Sequence, residues 1–363
     1  MWLQLALTGL GVAVIPLCIV FLSKETNKHR KLIAVTLTLT FELIMFGAFT
    51  RLTDSGLGCP DWPGCYGQAN PLLSHEAIKA AEVAMPHGPV TTQKAWIEMV
   101  HRYLAMSVGV LICAQVLLAW MRKKTTDISP WLTTSALLCV CVQGAFGAWT
   151  VTLKLQPVIV TTHLLLGMGL LALLAAVLEQ HSHQIKHVSS MAPNVAKALI
   201  LPATFALILL FIQVALGGWV STNYAALACQ DYPLCHGQVV PTMDFEHGFS
   251  LWRQLGMTTN GEYLPFPALV AIHWLHRNFA LLVIVVVSYV AWQAMRTPGF
   301  ESLGNKLLLA IVLQFLIGVS TIFFSWPLLL AVLHNGGAAM LVLLLTMLNY
   351  RVRHASHALS SPI

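Results

Sequence analysis

Four histidines lie inside long apolar segments of the chain, where an ionisable side chain is costly and marks a functional position. His101 and His163 belong to the first half of the sequence, and His276 and His334 belong to the second. Two imidazoles on neighbouring helices suit the two axial positions of a haem iron, whereas zinc needs three or four ligands at one site. The pattern therefore predicts a bis-histidine haem site in each half. The simpler alternative is a set of histidines hydrogen-bonded inside a helix bundle.

Charged and small residues accompany these histidines. Arg102 and Arg277 each follow a histidine directly, so they are candidates to pair with haem propionates or to extend towards the membrane interface. Gly167 and Gly337 come about one helical turn after the other two histidines. Glycines there would let a flat ring approach the helix backbone, or would let two helices pack closely.

Glu98 marks a chemical difference between the two halves. It lies three residues before His101 on the same helical face, and the equivalent residue of the second half is His273. A carboxylate in one half only predicts one reactive haem and one spectator, with Glu98 as the candidate catalytic residue. The alternative is an acid that orients His101 or faces water outside the membrane.

Membrane-spanning helices are the elements that must position these residues. The 363-residue chain is 57% hydrophobic and 9% charged, which excludes a water-soluble globular enzyme. Its net charge of +6, from 20 Lys and Arg against 14 Asp and Glu, also excludes a disordered or nucleic-acid-binding protein. Apolar runs of roughly 20 residues predict spans at 2–22, 32–52, 97–121, 130–153, 157–179, 198–220, 268–294, 305–325 and 328–350.

The basic residues predict how these spans are oriented. Every second connection is basic, and together these connections hold thirteen of the twenty Lys and Arg residues. By the positive-inside rule they face the cytoplasm, so the N-terminus and the segments 53–96 and 221–267 lie outside and the C-terminus inside. The segment 2–22 lacks a basic n-region and a cleavage site, which predicts a retained helix.

The two outer segments carry the same motif. Residues 59–68 and 229–238 both fit C-x-D-aromatic-P-x-C-x-G-Q at an offset of 170 residues, and the histidines keep nearly that offset. A repeat through loops and helices predicts a duplicated four-helix unit whose copies cross the bilayer in the same direction. The predicted fold is an all-α integral membrane protein with two pseudo-symmetric four-helix bundles and one extra N-terminal transmembrane helix.

The repeat also sets the predicted domain boundaries. Residues 74–85, in the first outer segment, are predicted to form a short amphipathic helix that Pro86 ends. The predicted organisation is an extra helix with a basic loop at 1–31, a first half at 32–180, a cytoplasmic linker at 181–197, a second half at 198–350 and a cytoplasmic tail at 351–363.

Each outer motif contains two cysteines six residues apart, Cys59 with Cys65 and Cys229 with Cys235. The oxidising space outside the membrane favours disulfides, and the intervening Pro and Gly residues permit a tight loop. We predict one disulfide in each loop. A four-cysteine zinc site joining both loops and a catalytic thiol in the first pair are the alternatives.

Taken together, these residues resemble the haem A synthase family over roughly residues 32–350. The family has eight spans in two four-helix halves, so the helix at 2–22 is a departure from its pattern. The resemblance rests on the outer motif at 50–63, on Glu98-x-x-His101-Arg102, on His276-Arg277, and on His163 and His334.

The resemblance implies a membrane oxidoreductase that converts one ring methyl of haem O to a formyl group, giving haem A for terminal oxidases. The first half, with Glu98, His101 and His163, would hold haem O as substrate. The second half, with His276 and His334, would hold a permanent haem b. The oxidation would proceed through an alcohol and a hydrated aldehyde that loses water.

The resemblance also implies a location and partners. The protein would lie in the bacterial inner membrane, in contact with the lipid bilayer. Haem O synthase, terminal-oxidase assembly factors and an electron acceptor that the sequence does not identify would be its partners. A homo-oligomer is compatible with this description.

Two other function classes fit part of the pattern. A di-haem b-type electron-transfer cytochrome explains four histidines, but it does not explain a carboxylate in one half only. Such a carrier would contain haem b alone. A transporter built from parallel repeats, with histidines as proton relays, would contain no haem.

Overall fold

A computed structural model describes residues 1–124, 129–181 and 193–357, without the side chains of 193–196, 356 and 357. Over these ranges the chain is helical, with isolated bridges in place of strands, so the all-α prediction is confirmed. The described helices are α1 (Trp2–Leu22), α2 (Lys28–Leu52), α3 (His75–Ala84), α4 (Thr92–Met121), α5 (Trp131–Thr152), α6 (Pro157–Gln180), α7 (Pro193–Thr222), α8 (Phe245–Gly248), α9 (Phe266–Met295), α10 (Glu301–Phe323) and α11 (Leu328–His357).

Nine of the described helices are long and apolar enough to cross a membrane, and they correspond to the nine predicted spans. The helix predicted at 74–85 is α3. Helix α7 begins at Pro193, inside the predicted linker, and α11 continues to His357, beyond the predicted end of the last span. Most of the predicted linker and the end of the predicted tail lie outside the described residues.

Local sequence explains where several helices begin. The side chain of Asn27 accepts a hydrogen bond from the N–H of Arg30 at 3.0 Å and caps α2. Thr91 caps α4 in the same way, accepting from the N–H of Lys94 at 3.2 Å. Such caps satisfy backbone donors that have no partner within the helix. Helix α6 begins with Pro157, where the missing N–H is not needed.

The internal repeat extends to the backbone. Asp54 and Tyr224 follow α2 and α7 with φ values of 50° and 54°. Leu155 and Trp326 precede α6 and α11 with φ values of 57° and 65°. Residues other than glycine rarely adopt this left-handed backbone conformation. The same unusual turn therefore occurs at equivalent positions of both copies.

The chain divides into two compact units, one comprising 1–170 and 250–263 and the other 171–249 and 264–363. In the first unit, α4 packs against α1, α2, α3 and α5. In the second, α9 and α11 each pack against both α7 and α10, which closes a ring of four helices. The domain boundaries predicted at residues 180 and 198 stay predictions. So does the organisation of the chain as two matching four-helix bundles.

Helix α1, which stands outside the repeat, is part of the first unit. Val20 on α1 belongs to a buried cluster with Leu32 and Leu111. Nearer the N-terminus, a Cβ at Gly9 would lie 3.0 Å from the Cβ of Met106, so α1 closely approaches α4. The extra helix thus supports the helix that carries His101.

Candidate functional site

The four histidines form two pairs. His101 on α4 lies near His163 on α6, and His276 on α9 lies near His334 on α11. Each pair lies within one unit. Two neighbouring imidazoles are the donor set of a bis-histidine haem iron.

In the first unit, each histidine ring faces a glycine on the adjacent helix. A Cβ at Gly47 of α2 would lie 3.1 Å from the Cε1 of His101, and a Cβ at Gly147 of α5 would lie 3.3 Å from the Cε1 of His163. Phe46 lies nearly parallel to the His101 ring, with 6.2 Å between centroids. Larger residues at the two glycines would displace the imidazoles.

The second unit repeats this packing. A Cβ at Gly217 of α7 would lie 3.0 Å from the Cε1 of His276. A Cβ at Gly318 of α10 would lie 2.8 Å from the Cε1 of His334, closer than side-chain atoms normally approach. In both units, each of the two histidines therefore packs against a glycine on another helix.

The histidines also retain unsatisfied nitrogen atoms. The Nδ1 atoms of His101, His163 and His334 are buried and have no hydrogen-bond partner. Buried polar atoms are normally paired, so protein groups leave these three rings incompletely satisfied. Within the described ranges, no group of three or more His, Cys, Asp or Glu residues could hold a metal ion. Two imidazoles in each unit, each packed against a glycine, fit a haem better than a zinc ion.

The glycines that the sequence suggested near the histidines face glutamines. A Cβ at Gly167 would lie 3.2 Å from the Nε2 of Gln143, and Gly337 packs against the side chain of Gln314. Their role in making room for a flat ring stays a prediction. Gly147 and Gly318 recur in the internal repeat, but Gly47 and Gly217 were missed, although they also recur, at the offset of 170 residues.

Glu98 joins the first outer loop to α4. Its buried carboxylate accepts a hydrogen bond from the main-chain N–H of Cys59 at 2.8 Å and forms an ion pair with Arg102, one turn along the helix. The hydrogen bond from Cys59 holds the loop close to the helix that carries His101. Glu98 is thus part of the structure around the first histidine pair, whatever chemistry it performs.

Arg102 strengthens the same attachment. Its guanidinium donates to three main-chain carbonyls of the loop: Asp61 at 3.0 Å, Pro63 at 3.2 Å and Gly64 at 2.6 Å. An arginine with five N–H donors is suited to such a set of acceptors. The loop is fastened to the residue directly after His101.

The second unit makes the equivalent attachment with different residues. His273 Nδ1 accepts from the N–H of Cys229 at 3.1 Å, in place of the Glu98 carboxylate. Arg277 donates to the carbonyls of Asp231 at 2.8 Å and Leu234 at 3.0 Å. Its Nη1 is buried and has no hydrogen-bond partner, which leaves a cationic donor available for an anion.

Both disulfide predictions are confirmed. Cys59 is bonded to Cys65, and Cys229 is bonded to Cys235, with 4.9 Å between the Cα atoms in each pair. All four cysteines are buried. The zinc and free-thiol alternatives therefore do not describe this structure.

An aspartate organises each disulfide loop from within. The carboxylate of Asp231 accepts from the N–H groups of His236 at 2.7 Å and Gly237 at 2.8 Å. These hydrogen bonds, the one from Gly237 first, lower the pKa of Asp231 below its usual value. Asp61 accepts from the corresponding residues of the first loop. The two loops share a motif because each needs the same aspartate to hold its turn.

Comparison with known proteins places the chain in a family. The family model described as cytochrome oxidase assembly protein, COX15-CtaA, matches residues 30–346. The chain belongs to the COX15-CtaA family. The matched region contains the four histidines, both disulfide loops and Glu98. Helix α1 lies outside the matched residues.

Curated relatives of this COX15-CtaA protein carry one name. "Heme A synthase" of Shewanella oneidensis is 37% identical over 91% of this chain and 98% of its own length. Proteins of the same name from Caulobacter vibrioides and Alkalihalophilus pseudofirmus are 27% and 24% identical, over 88% and 89% of this chain and 94% and 96% of their own lengths. The similarity therefore covers nearly the whole of each protein.

Proposed function

We propose that this COX15-CtaA protein is a haem A synthase, a membrane enzyme that oxidises a ring methyl of haem O to a formyl group. The haem A produced would serve terminal oxidases. The duplicated histidine pair, built with matching glycines in a chain of this family, is the observation that carries the proposal. The name of the curated relatives supports the same reaction.

The two histidine pairs take different roles in this proposal. His101 and His163 hold the iron of the substrate haem O, and His276 and His334 hold a resident haem b. The free Nη1 of Arg277 supports propionate binding in the second unit. The guanidinium of Arg102 contacts the loop and Glu98. We propose that it also contacts a propionate of the haem in the first unit. When bound, haem b supplies a path for electrons out of the substrate.

Glu98 is the proposed catalytic residue of the first unit. Conversion of a methyl to a formyl group removes electrons and protons from the carbon and adds an oxygen atom. Glu98 lies one turn from His101, on the helix that carries this ligand. A carboxylate there would accept a proton or stabilise positive charge that develops on the substrate. Arg102 and the Cys59 N–H fix its position.

The proposed location follows from the nine apolar helices and the bacterial relatives. The protein would lie in the inner membrane, with both disulfide loops and the N-terminus outside and the C-terminus in the cytoplasm. Haem O synthase would deliver the substrate, and terminal-oxidase assembly factors would receive the product. The proposal also includes an electron acceptor, which the sequence does not identify, and a homo-oligomeric state.

Extraction of the bound haems tests the function. The purified full-length protein, expressed in a host that makes haem O, would be extracted with acid–acetone and its haems separated by chromatography. Haem b together with haem O or haem A is the expected result. Haem b alone would favour the di-haem electron carrier, and a protein without haem would contradict both functions.

A further inference from the structure

The second unit holds one of its histidines with a residue that the first unit lacks. The side-chain nitrogen of Gln213 donates to the main-chain carbonyl of His276 at 3.1 Å and lies 3.1 Å from the ring Nδ1. One amide thus contacts both the backbone and the imidazole of the same residue. Gly217, one turn along α7, packs against that ring from the same helix. Two residues of the same helix, Gln213 and Gly217, therefore constrain the orientation of His276.

The first unit has no equivalent of this amide. Gln213 precedes Gly217 by four residues, and the residue that precedes Gly47 by four is Leu43. An apolar leucine can neither donate nor accept a hydrogen bond. The Nδ1 of His101 is accordingly buried without a hydrogen-bond partner.

The other histidine of each unit does not show this difference. Gln314 donates to the main-chain carbonyl of His334 at 2.9 Å, and Gln143 occupies the equivalent position near His163 in the first unit. Among these glutamine positions, the sequences of the two units therefore differ only at Gln213 and Leu43.

We propose that Gln213 is a positioning residue that makes the second haem site permanent, and that Leu43 leaves the first site exchangeable. This inference rests on the proposed function, in which one haem is resident and the other is turned over. An imidazole that gives Nε2 to the iron carries its proton on Nδ1, so in the loaded protein the amide oxygen of Gln213, which has no other partner, would turn to accept that proton. Partners that hydrogen-bond the ring of a metal-bound histidine fix its orientation and change metal affinity by about 10–100-fold when removed. A substrate site must release its product, so a less firmly held ligand suits the first unit.

The test exchanges the two residues between the sites. Gln213→Met keeps the size of the side chain and removes its hydrogen bonds, and Leu43→Gln adds an amide beside His101. The full chain, loaded with haem b and haem O, would be mixed with excess apomyoglobin, and the loss of each haem would be followed separately. The EPR spectrum of the ferric protein provides a second readout, because its low-spin signal depends on the orientation of the two axial imidazoles.

We expect Gln213→Met to release haem b about tenfold faster and to shift its EPR signal, with haem O unaffected. Leu43→Gln is expected to slow the release of haem O. If Gln213→Met does not yield folded protein, Leu43→Gln decides alone, because slower haem O release supports the inference and an unchanged rate overturns it.

The controls separate this inference from the proposed function. A wild-type protein that binds haem b and haem O, with both variants behaving like it, would overturn the role of Gln213 and leave the function intact. A wild-type protein that binds no haem would overturn the function and this inference together.

Discussion

The carboxylate of Glu98 accepts the main-chain N–H of Cys59 at 2.8 Å, and so joins a disulfide loop to the helix that carries His101. The second unit makes the same joint with His273, whose Nδ1 accepts the N–H of Cys229 at 3.1 Å. A carboxylate and a neutral imidazole can both fill this position because each presents an acceptor. Loop attachment therefore does not require an acid in the first unit, and the charge of Glu98, which is paired with Arg102, needs another explanation, for which we propose catalysis.

Substitution of Glu98 separates charge from attachment. Glu98→Gln keeps an oxygen acceptor for the Cys59 N–H but removes the negative charge, and Glu98→His reproduces the residue of the second unit. We expect both variants to fold and bind haem, and to convert haem O to haem A at least about a hundredfold more slowly, as for loss of a general base. Chromatography of the extracted haems over time measures the rate. A normal rate in Glu98→Gln would exclude the proposed catalytic role.

Arg102 and Arg277 are expected to differ in their contribution to stability. Arg102→Gln leaves the buried Glu98 carboxylate without its counter-ion, which typically costs about 3–5 kcal/mol. Arg277→Gln removes hydrogen bonds to main-chain carbonyls and leaves no buried anion, a loss of about 1–3 kcal/mol. Thermal unfolding in detergent should rank Arg102→Gln as the less stable protein.

A double variant provides the control for this ranking. Combining Arg102→Gln with Glu98→Gln removes both charges, so much of the lost stability should return. If the double variant loses as much stability as the two single variants lose together, the broken ion pair is not the cause of the instability of Arg102→Gln.

The glycines beside the histidines are expected to control haem content. In Gly318→Ala the new Cβ would lie 2.8 Å from the Cε1 of His334, so the ring or the helix must move. We expect at least a severalfold loss of haem b per protein, measured from the pyridine haemochrome spectrum. Gly144→Ala is the matched control, because a Cβ at Gly144 meets nothing within 4 Å. Equal haem content in both variants would contradict this interpretation.

Asp231 is expected to make the second disulfide loop sensitive to acid. Hydrogen bonds from Gly237 and His236 lower the pKa of Asp231. The stabilisation that these hydrogen bonds provide is therefore complete at pH values above the pKa of Asp231 in the unfolded chain, about 3.9. It is lost as the pH falls through the lower pKa that Asp231 has in the folded protein. The difference in melting temperature between the wild type and Asp231→Asn should shrink between pH 5 and pH 3. A constant difference over that range would show that Asp231 does not titrate as described.

The sequence was sufficient to predict the helices and the disulfides. A span such as 2–22 or 157–179 is a local property, because about 20 consecutive apolar residues have few alternatives to a membrane helix. The disulfides were equally predictable. Cys59 and Cys65 are six positions apart, and the Pro and Gly residues between them allow a tight loop that brings the two cysteines within bonding distance. The helix ends were less accurate, as at Pro193 and His357, because charged residues that mark a membrane boundary do not end a helix.

By itself, the sequence determined that four histidines recur in register in a duplicated chain, and that an acid stands near one of them. Only the tertiary structure decided that Glu98 and His273 attach equivalent loops, and that Gln213 contacts His276 while Leu43 leaves His101 without such a partner. Periodicity tells which residues share a face of one helix. It does not give the rotation and separation of neighbouring helices, and hydrogen bonds depend on these to within a few tenths of an ångström.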